Sequence, residues 1–256
     1  MARLFGTDGV RGVANTELTC ELAYRLGQAA VAFLGKAIVV GKDTRLSGDM
    51  LESAMVAGIT SAGGTALLTG VIPTPAVALL VRELNAAGGA VISASHNPPE
   101  YNGIKLFDAE GFKLPDAVED EIEAFIKQGG LEGRIERARE AGDEDAAMPS
   151  GPELGVAVEV DEACEMYIEH AVRSIREQGI DFEGLTVALD TGHGASSLTS
   201  PTALRRLGAE VIVINDYGST SLEEKIEELK ENPALADVPA IRDGRITSVT
   251  LCESFA

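Results

Sequence analysis

Between residues 37 and 93, three short apolar runs alternate with two stretches of helical periodicity. This alternation restricts the fold more than any other feature of the chain. The runs are Ala37–Gly41, Gly64–Leu68 and Gly88–Ser93, each bounded by glycine, proline or polar residues, and they read as buried strands. Parallel neighbours need a crossover of about a dozen residues, and the helical stretches supply it. The expected fold class is α/β: a three-layer αβα domain around a mixed, mostly parallel sheet. Thr19 is placed to cap a preceding helix, Glu21 to Phe33, with Leu22, Leu26, Ala29, Ala30 and Phe33 on one face. Ser47 or Asp49 caps the next, through about Ala62, and the rigid Val71-Ile72-Pro73-Thr74-Pro75 leads into Ala76 to Leu84.

In such a sheet the strand ends at Lys42, Ile72 and Ser93 converge on one edge, where open α/β sheets place their ligands. Ser93-Ala94-Ser95-His96-Asn97-Pro98 follows the last of them, and Pro98-Pro99 cannot continue a strand ladder. Small hydroxyls beside an imidazole and an amide suit phosphate or nucleophile chemistry. Three further features are candidates for the same edge. Phe5 to Gly12 has three glycines and Arg11, whose planar donor fork matches phosphate or carboxylate; it reads equally as a glycine-rich hairpin with an incidental arginine. Lys42 and Arg45, in Lys42 to Gly48, are either anion holders or part of a solvated turn. Lys105, in the turn and extended segment Glu100 to Phe107, either reaches the Ser95 edge or is a surface lysine.

Composition narrows the ligand. With 41 acidic against 21 basic residues the net charge is −20, which argues against a broad nucleic-acid or anionic-membrane surface. An anion must be held locally, by a few cations, helix N-termini or a divalent metal. Cys20, Cys164 and Cys252 form no CxxC pair and no disulfide framework, so a cytoplasmic location is expected. No apolar segment approaches membrane-spanning length, and the N-terminus lacks the apolar stretch of a signal peptide.

Residues 1–150 read as one domain, with a helix from Glu119 to Lys127. Charge, glycine and proline then mark Gly129 to Gly155 as a solvated linker. Residues 151–215 read as a partial second α/β domain: helix Asp161 to Gln178, strand Thr186 to Asp190, a glycine-rich Thr191 to Ala195, a helix from about Pro201 to Leu207, and strand Val211 to Ile214. One βαβ unit needs more strands than these. Residues 216–256 read as a divergent tail, including a charged helix from Ser221 to Glu231. Its origin is a truncation with a frameshifted or foreign end, a fusion, or a designed chimera.

Four motifs in order resemble the α-D-phosphohexomutase family: Phe5-Gly6-Thr7-Asp8-Gly9-Val10-Arg11-Gly12, Gly41 to Gly48, Ser93 to Pro98, and Asn102-Gly103-Ile104-Lys105. The match covers about residues 1 to 215. The Phe-Gly-Thr-Asp-Gly opening and Ser93 are closer to members acting on glucosamine phosphate than to those acting on mannose phosphate. The resemblance implies a reversible shift of phosphate between C6 and C1 of that sugar, with a phosphosugar substrate, a sugar bisphosphate activator, Mg²⁺ and a homodimer as the implied partners. It places the phosphoserine at Ser95 and its basic neighbours at Arg11 and Lys105. His96 and Asn97 shape the loop, with His96 as general base the sharper alternative. The family's Asp-Gly-Asp-Gly-Asp-Arg metal loop is missing, and its nearest echo, Arg242-Asp243-Gly244-Arg245, has one carboxylate. The metal contact left to this chain is therefore the Ser95 phosphate, and the chain alone is expected to lack mutase activity. A mannose- or glucose-phosphate substrate, or a non-catalytic phosphosugar-binding fragment, are the alternatives.

Overall fold

A computed structural model describes residues 3–214, in two compact units that divide after Ala163. The strands of the first unit are β1 (Val10–Val13), β2 (Ala37–Lys42), β3 (Thr65–Val71), β4 (Gly88–Ile92), β5 (Tyr101–Phe107) and β6 (Ala157–Glu159). They form one sheet in the order β1-β5-β4-β2-β3-β6. Strands β4, β2, β3 and β6 pair in parallel, and β5 runs antiparallel to both β4 and β1. This is the expected mixed, mostly parallel sheet.

Helices α1 (Cys20–Phe33), α2 (Gly48–Ser61), α3 (Thr74–Glu83) and α4 (Asp116–Lys127) cover its faces. The two-residue period of β2 shows how. Ile38 and Val40 join a buried cluster with Leu26 of α1, Leu51, Met55 and Ile59 of α2, and Ile122 of α4. The alternate positions point the other way, where Gly41 and Gly89 leave room for Val77 and Val81 of α3. The result is three layers. Thr19 caps α1 as expected, its hydroxyl accepting from the Leu22 N–H at 3.2 Å. Helices α1 and α2 cross in close contact because Gly58 has no side chain: a Cβ there would overlap the Tyr24 carbonyl oxygen.

The segment expected to be a linker contains a helix, α5 (Gly130–Glu140). Its composition is that of a solvated stretch, and tertiary contacts hold it instead. Glu132 accepts from the Tyr24 hydroxyl at 3.0 Å and from Gln28 Nε2, and pairs with Arg25. Leu131 packs against the main core, and its N–H donates to the Gln28 side chain at 3.2 Å. Strand β6 likewise extends the first unit past the expected boundary at 150.

The second unit contains α6 (Ala163–Arg176), β7 (Thr186–Asp190), α7 (Ser200–Arg206) and β8 (Glu210–Ile214). Strands β7 and β8 pair in parallel, Thr186 opposite Glu210 through Asp190 opposite Ile214. Ile168, Val172 and Leu207 form its small core. The charged helix and the Arg242 to Arg245 segment read from the sequence lie outside the described residues. Among the described residues, no helix is long and apolar enough to cross a membrane.

Candidate active site

The parallel registers bring Lys42 opposite both Val71 and Ile92, so β2, β3 and β4 end together. The loop after β2 and the loop after β4 lie side by side there. Strand β5 begins at the same edge: Ser93 N–H donates to the Gly103 carbonyl at 2.9 Å, and Tyr101 opens the strand. Strand β1 pairs with β5 so that Arg11 stands opposite Gly103. A Cβ on Gly103 would lie 2.6 Å from the Ser93 carbonyl and 3.0 Å from the Arg11 side chain, so this position must be glycine for the three segments to meet.

Ser95 sits in the left-handed region with φ of 56°, which for a residue bearing a Cβ costs about 1–3 kcal/mol. Side chains from elsewhere hold it there. Its N–H donates to Ser93 Oγ at 3.0 Å, and Ser93 Oγ donates to Asp43 Oδ2 at 2.6 Å. Its carbonyl accepts from Arg45 Nη2 at 2.8 Å. The other Arg45 donors go to the carbonyls of Asn97 at 2.7 Å, Pro98 at 2.8 Å and Tyr101 at 3.0 Å, and to Asp43 Oδ2 at 3.1 Å. A guanidinium has five N–H donors, and here all five are spent on the protein. Arg45 therefore supports the loop and has no donor left for an anion. Beneath the loop Ala94 is fully buried, while the Ser95 hydroxyl is exposed and has His96 Nδ1 at 3.3 Å.

Lys42 is also committed to carboxylates, at 2.7 Å from Asp49 and 2.5 Å from Glu52. It borders a cavity of about 340 Å³ that is lined as well by Thr69, Glu159 and Asp161, an acidic setting poorly matched to phosphate.

Arg11 and Lys105 meet at Asp8, which the sequence presents only as one letter of a motif. Lys105 Nζ donates to Asp8 Oδ1 at 3.1 Å, and Arg11 Nη2 lies 3.7 Å from Asp8 Oδ2. Arg11 Nη1 approaches Asn97 Oδ1 at 3.4 Å, and its Nε is buried without a partner among the described residues. The Lys105 hydrogen bond lowers the Asp8 carboxyl below its ordinary range despite some burial, and the charges of Lys105, Arg11 and His96 add to this. Asp8 is the acceptor that a proposed anion would have to replace or join. The bridge between Gly6 and Gly9 closes a hairpin around Asp8, whose carboxylate meets Lys105 of β5.

Asn102, like Asp8, stands in the sequence only as a member of a motif. It is fully buried, donating to Ser47 Oγ at 2.9 Å and accepting from the Gly103 N–H at 2.8 Å, so it ties the start of β5 to the start of α2. Ser47 precedes α2 as expected but makes no side-chain cap bond; its backbone is already helical, at φ −75° and ψ −7°, and its hydroxyl accepts from Asn102.

In the second unit, the loop after β7 is closed by its own residues: Gly192 N–H donates to Asp190 Oδ1 at 2.8 Å, and His193 has φ of 53°. Among the described residues no group of three or more His, Cys, Asp or Glu side chains is arranged to hold a metal ion. The carboxylates of Asp43 and Asp8 are engaged, the first with Arg45 and Ser93 and the second with Lys105. These residues by themselves do not fit a magnesium site.

Residues 2–132 match the family model for phosphoglucomutase/phosphomannomutase, alpha/beta/alpha domain I. The chain is 51% identical to the phosphoglucosamine mutase of Clostridium perfringens (strain SM101), over 89% of its own length and 50% of the relative's. It is 50% identical to that of Heliobacterium modesticaldum, over 84% of the chain and 48% of the relative. The fold is similar to that of a Thermus thermophilus structure described as a putative phosphomannomutase, with a TM-score of 0.66 and 28% identity, covering 91% of this chain and 53% of that one. The chain thus spans about half the length of the curated relatives it matches. A match covering 89% of the chain also reaches past residue 215, so the similarity does not end where the sequence resemblance was expected to stop.

Proposed function

The chain belongs to the phosphoglucomutase/phosphomannomutase family, and on that premise we propose that it carries the phosphoserine-bearing part of a phosphoglucosamine mutase. The reaction is the interconversion of glucosamine 6-phosphate and glucosamine 1-phosphate. The observation that supports this best is Ser95 itself: an exposed hydroxyl on a backbone fixed at both its N–H and its carbonyl, at the edge where Arg11 and Lys105 meet.

In this reading Ser95 carries the phosphoryl group. The Oγ–P bond breaks as a sugar oxygen forms its bond to phosphorus, giving a bisphosphorylated sugar. After the sugar reorients, the other phosphoryl group passes to Ser95 Oγ as its bond to the sugar oxygen breaks; that oxygen takes up the proton released when the first hydroxyl was phosphorylated, and the isomer leaves. Such transfers are governed by positioning and by neutralising charge on the phosphoryl oxygens. Arg11 and Lys105 supply that charge here, and the arrival of a phosphate carrying about −1.5 to −2 competes with Asp8 for both. His96 and Asn97 shape the loop. Mg²⁺, which would add further neutralisation, needs ligands beyond the described residues, and no step is assigned to it.

The test is incubation of the chain extended to its relatives' length with glucosamine 1,6-bisphosphate and Mg²⁺, followed by intact-mass and peptide analysis. Phosphate on Ser95, absent from Ser95→Ala, is expected. Labelling elsewhere, or none, overturns the assignment. The 256-residue chain alone is expected not to turn over glucosamine 6-phosphate, and turnover by it overturns that part. A hexose phosphate is the second reading, favoured by the likeness to the Thermus thermophilus protein. A panel of glucose, mannose and glucosamine phosphates, given to the chain extended to its relatives' length, separates the two.

A further inference from the structure

We propose that Asp43, Ser93 and Arg45 act together as positioning residues for Ser95, fixing its left-handed backbone so that only its hydroxyl is free to react. The inference rests on the reading of Ser95 as the phosphoryl acceptor, but the geometry that motivates it does not.

The N–H and the carbonyl of Ser95 are both taken by side chains, from Ser93 and from Arg45. These two do not act independently. Asp43 Oδ2 accepts both the Ser93 hydroxyl at 2.6 Å and Arg45 Nε at 3.1 Å, and Asp43 Oδ1 accepts the Arg45 N–H at 3.0 Å. Arg45 and Asp43 are mostly buried, with side chains 12% and 15% exposed, so water does not replace these bonds cheaply. A hydrogen-bonded network of this kind fixes one conformation. It also joins the end of β2 to the end of β4, so the two loops at the site move as one piece. Arg45 gathers the carbonyls of residues 95, 97, 98 and 101, which bends the chain back under Ser95 and leaves Oγ at the outer turn. Lysine cannot substitute: its single ammonium has three donors and no planar fork. Threonine can substitute for Ser93, because it keeps the hydroxyl, whereas alanine cannot.

The experiment compares the full 256-residue chain with Ser93→Ala, Ser93→Thr and Arg45→Lys. Each is checked for a cooperative thermal transition that lies well above the assay temperature. Two readouts follow: amide hydrogen exchange over residues 95–102, with β2 and α1 amides as internal controls, and the rate of phosphate uptake on Ser95 from glucosamine 1,6-bisphosphate. The expected result is exchange in the loop at least about tenfold faster in Ser93→Ala and Arg45→Lys, with the control amides unmoved. Phosphate uptake slows by at least about tenfold in the same two variants, and Ser93→Thr restores both to the wild-type values. Wild-type exchange in Ser93→Ala and Arg45→Lys overturns the proposal. Loop exchange that rises without any fall in uptake also overturns it, since the network would then be structural only. Uptake is read on the same variants in the chain extended to its relatives' length; if that wild-type protein takes up no phosphate, the acceptor reading fails, and loop exchange with its threonine rescue still decides whether the three residues hold Ser95. A variant that loses its thermal midpoint is replaced by Asp43→Asn, which keeps the shape and removes the shared acceptor charge.

Discussion

Arg45 and Arg11 both reach the loop that carries Ser95, but the first spends every donor on protein acceptors, while the second has a 3.4 Å contact with Asn97 and a 3.7 Å ion pair with Asp8. Nearness to a candidate site therefore does not identify a ligand-binding cation; the number of donors still uncommitted does. Arg25 is an intermediate case. It donates to the Gly129 carbonyl at 2.8 Å and to Gln28 at 3.2 Å and pairs with Glu132, tying α5 to α1.

If occupancy is the right scale, the cost of removing each arginine's contacts should fall in that order. Arg45→Met leaves Asp43 buried without its charge partner and four carbonyls unserved, and should cost about 3–5 kcal/mol in urea unfolding. A loss below about 1 kcal/mol would break the comparison. Glu132→Gln, which weakens the Arg25 cluster while keeping its shape, should cost about 1–2 kcal/mol and raise exchange in α5 first. Arg11→Met should cost less than about 1 kcal/mol yet slow phosphate uptake on Ser95 by about 10²-fold. Destabilisation as large as that of Arg45→Met would place Arg11 in the scaffold.

The pH dependence is the finest discriminator. Burial raises the Glu132 carboxyl, but its own backbone N–H, Gln28, Tyr24 and Arg25 together hold it below its ordinary 4.5. A depressed carboxylate contributes stability that is present above its unfolded value and lost as pH falls through its folded one. Stability should therefore decline below about pH 4.5, and Glu132→Gln should flatten that decline. Asp8 has the same sign but starts from an ordinary 3.8, so Asp8→Asn should flatten only the acid end of the curve. A larger flattening from Asp8→Asn than from Glu132→Gln would reverse the ranking.

Much of the scaffold was legible from periodicity because its signals are local. Thr19 before an amphipathic stretch, and apolar runs of five or six residues between glycines, need no distant partner to be read, and α1, β2 and β4 lie where they were expected. Helix α5 was not legible because its stability comes from Tyr24, Arg25 and Gln28, about a hundred residues earlier in the chain. The short β6 was hidden by a proline- and glycine-rich approach, and pairing with β3 is what defines it. At the candidate site the residue types pointed to one sheet edge, where the structure brings Ser95, Arg11 and Lys105 together, but their contacts depended on register. That Arg45 faces inward to carbonyls, and that Asp8 turns to meet Lys105, follow from which strand lies beside which.

Arg45 reads main-chain oxygens only in the loop it holds, and so it is blind to the letters of that loop. Residues 95, 97, 98 and 101 contribute their carbonyls whatever side chains they bear. The shape of the turn is thus separated from its chemical content. For an engineer, this stretch is a socket: a different reactive group at position 95 would inherit the same outward presentation, provided that it tolerates the left-handed backbone and that Asp43, Arg45 and Ser93 are left alone.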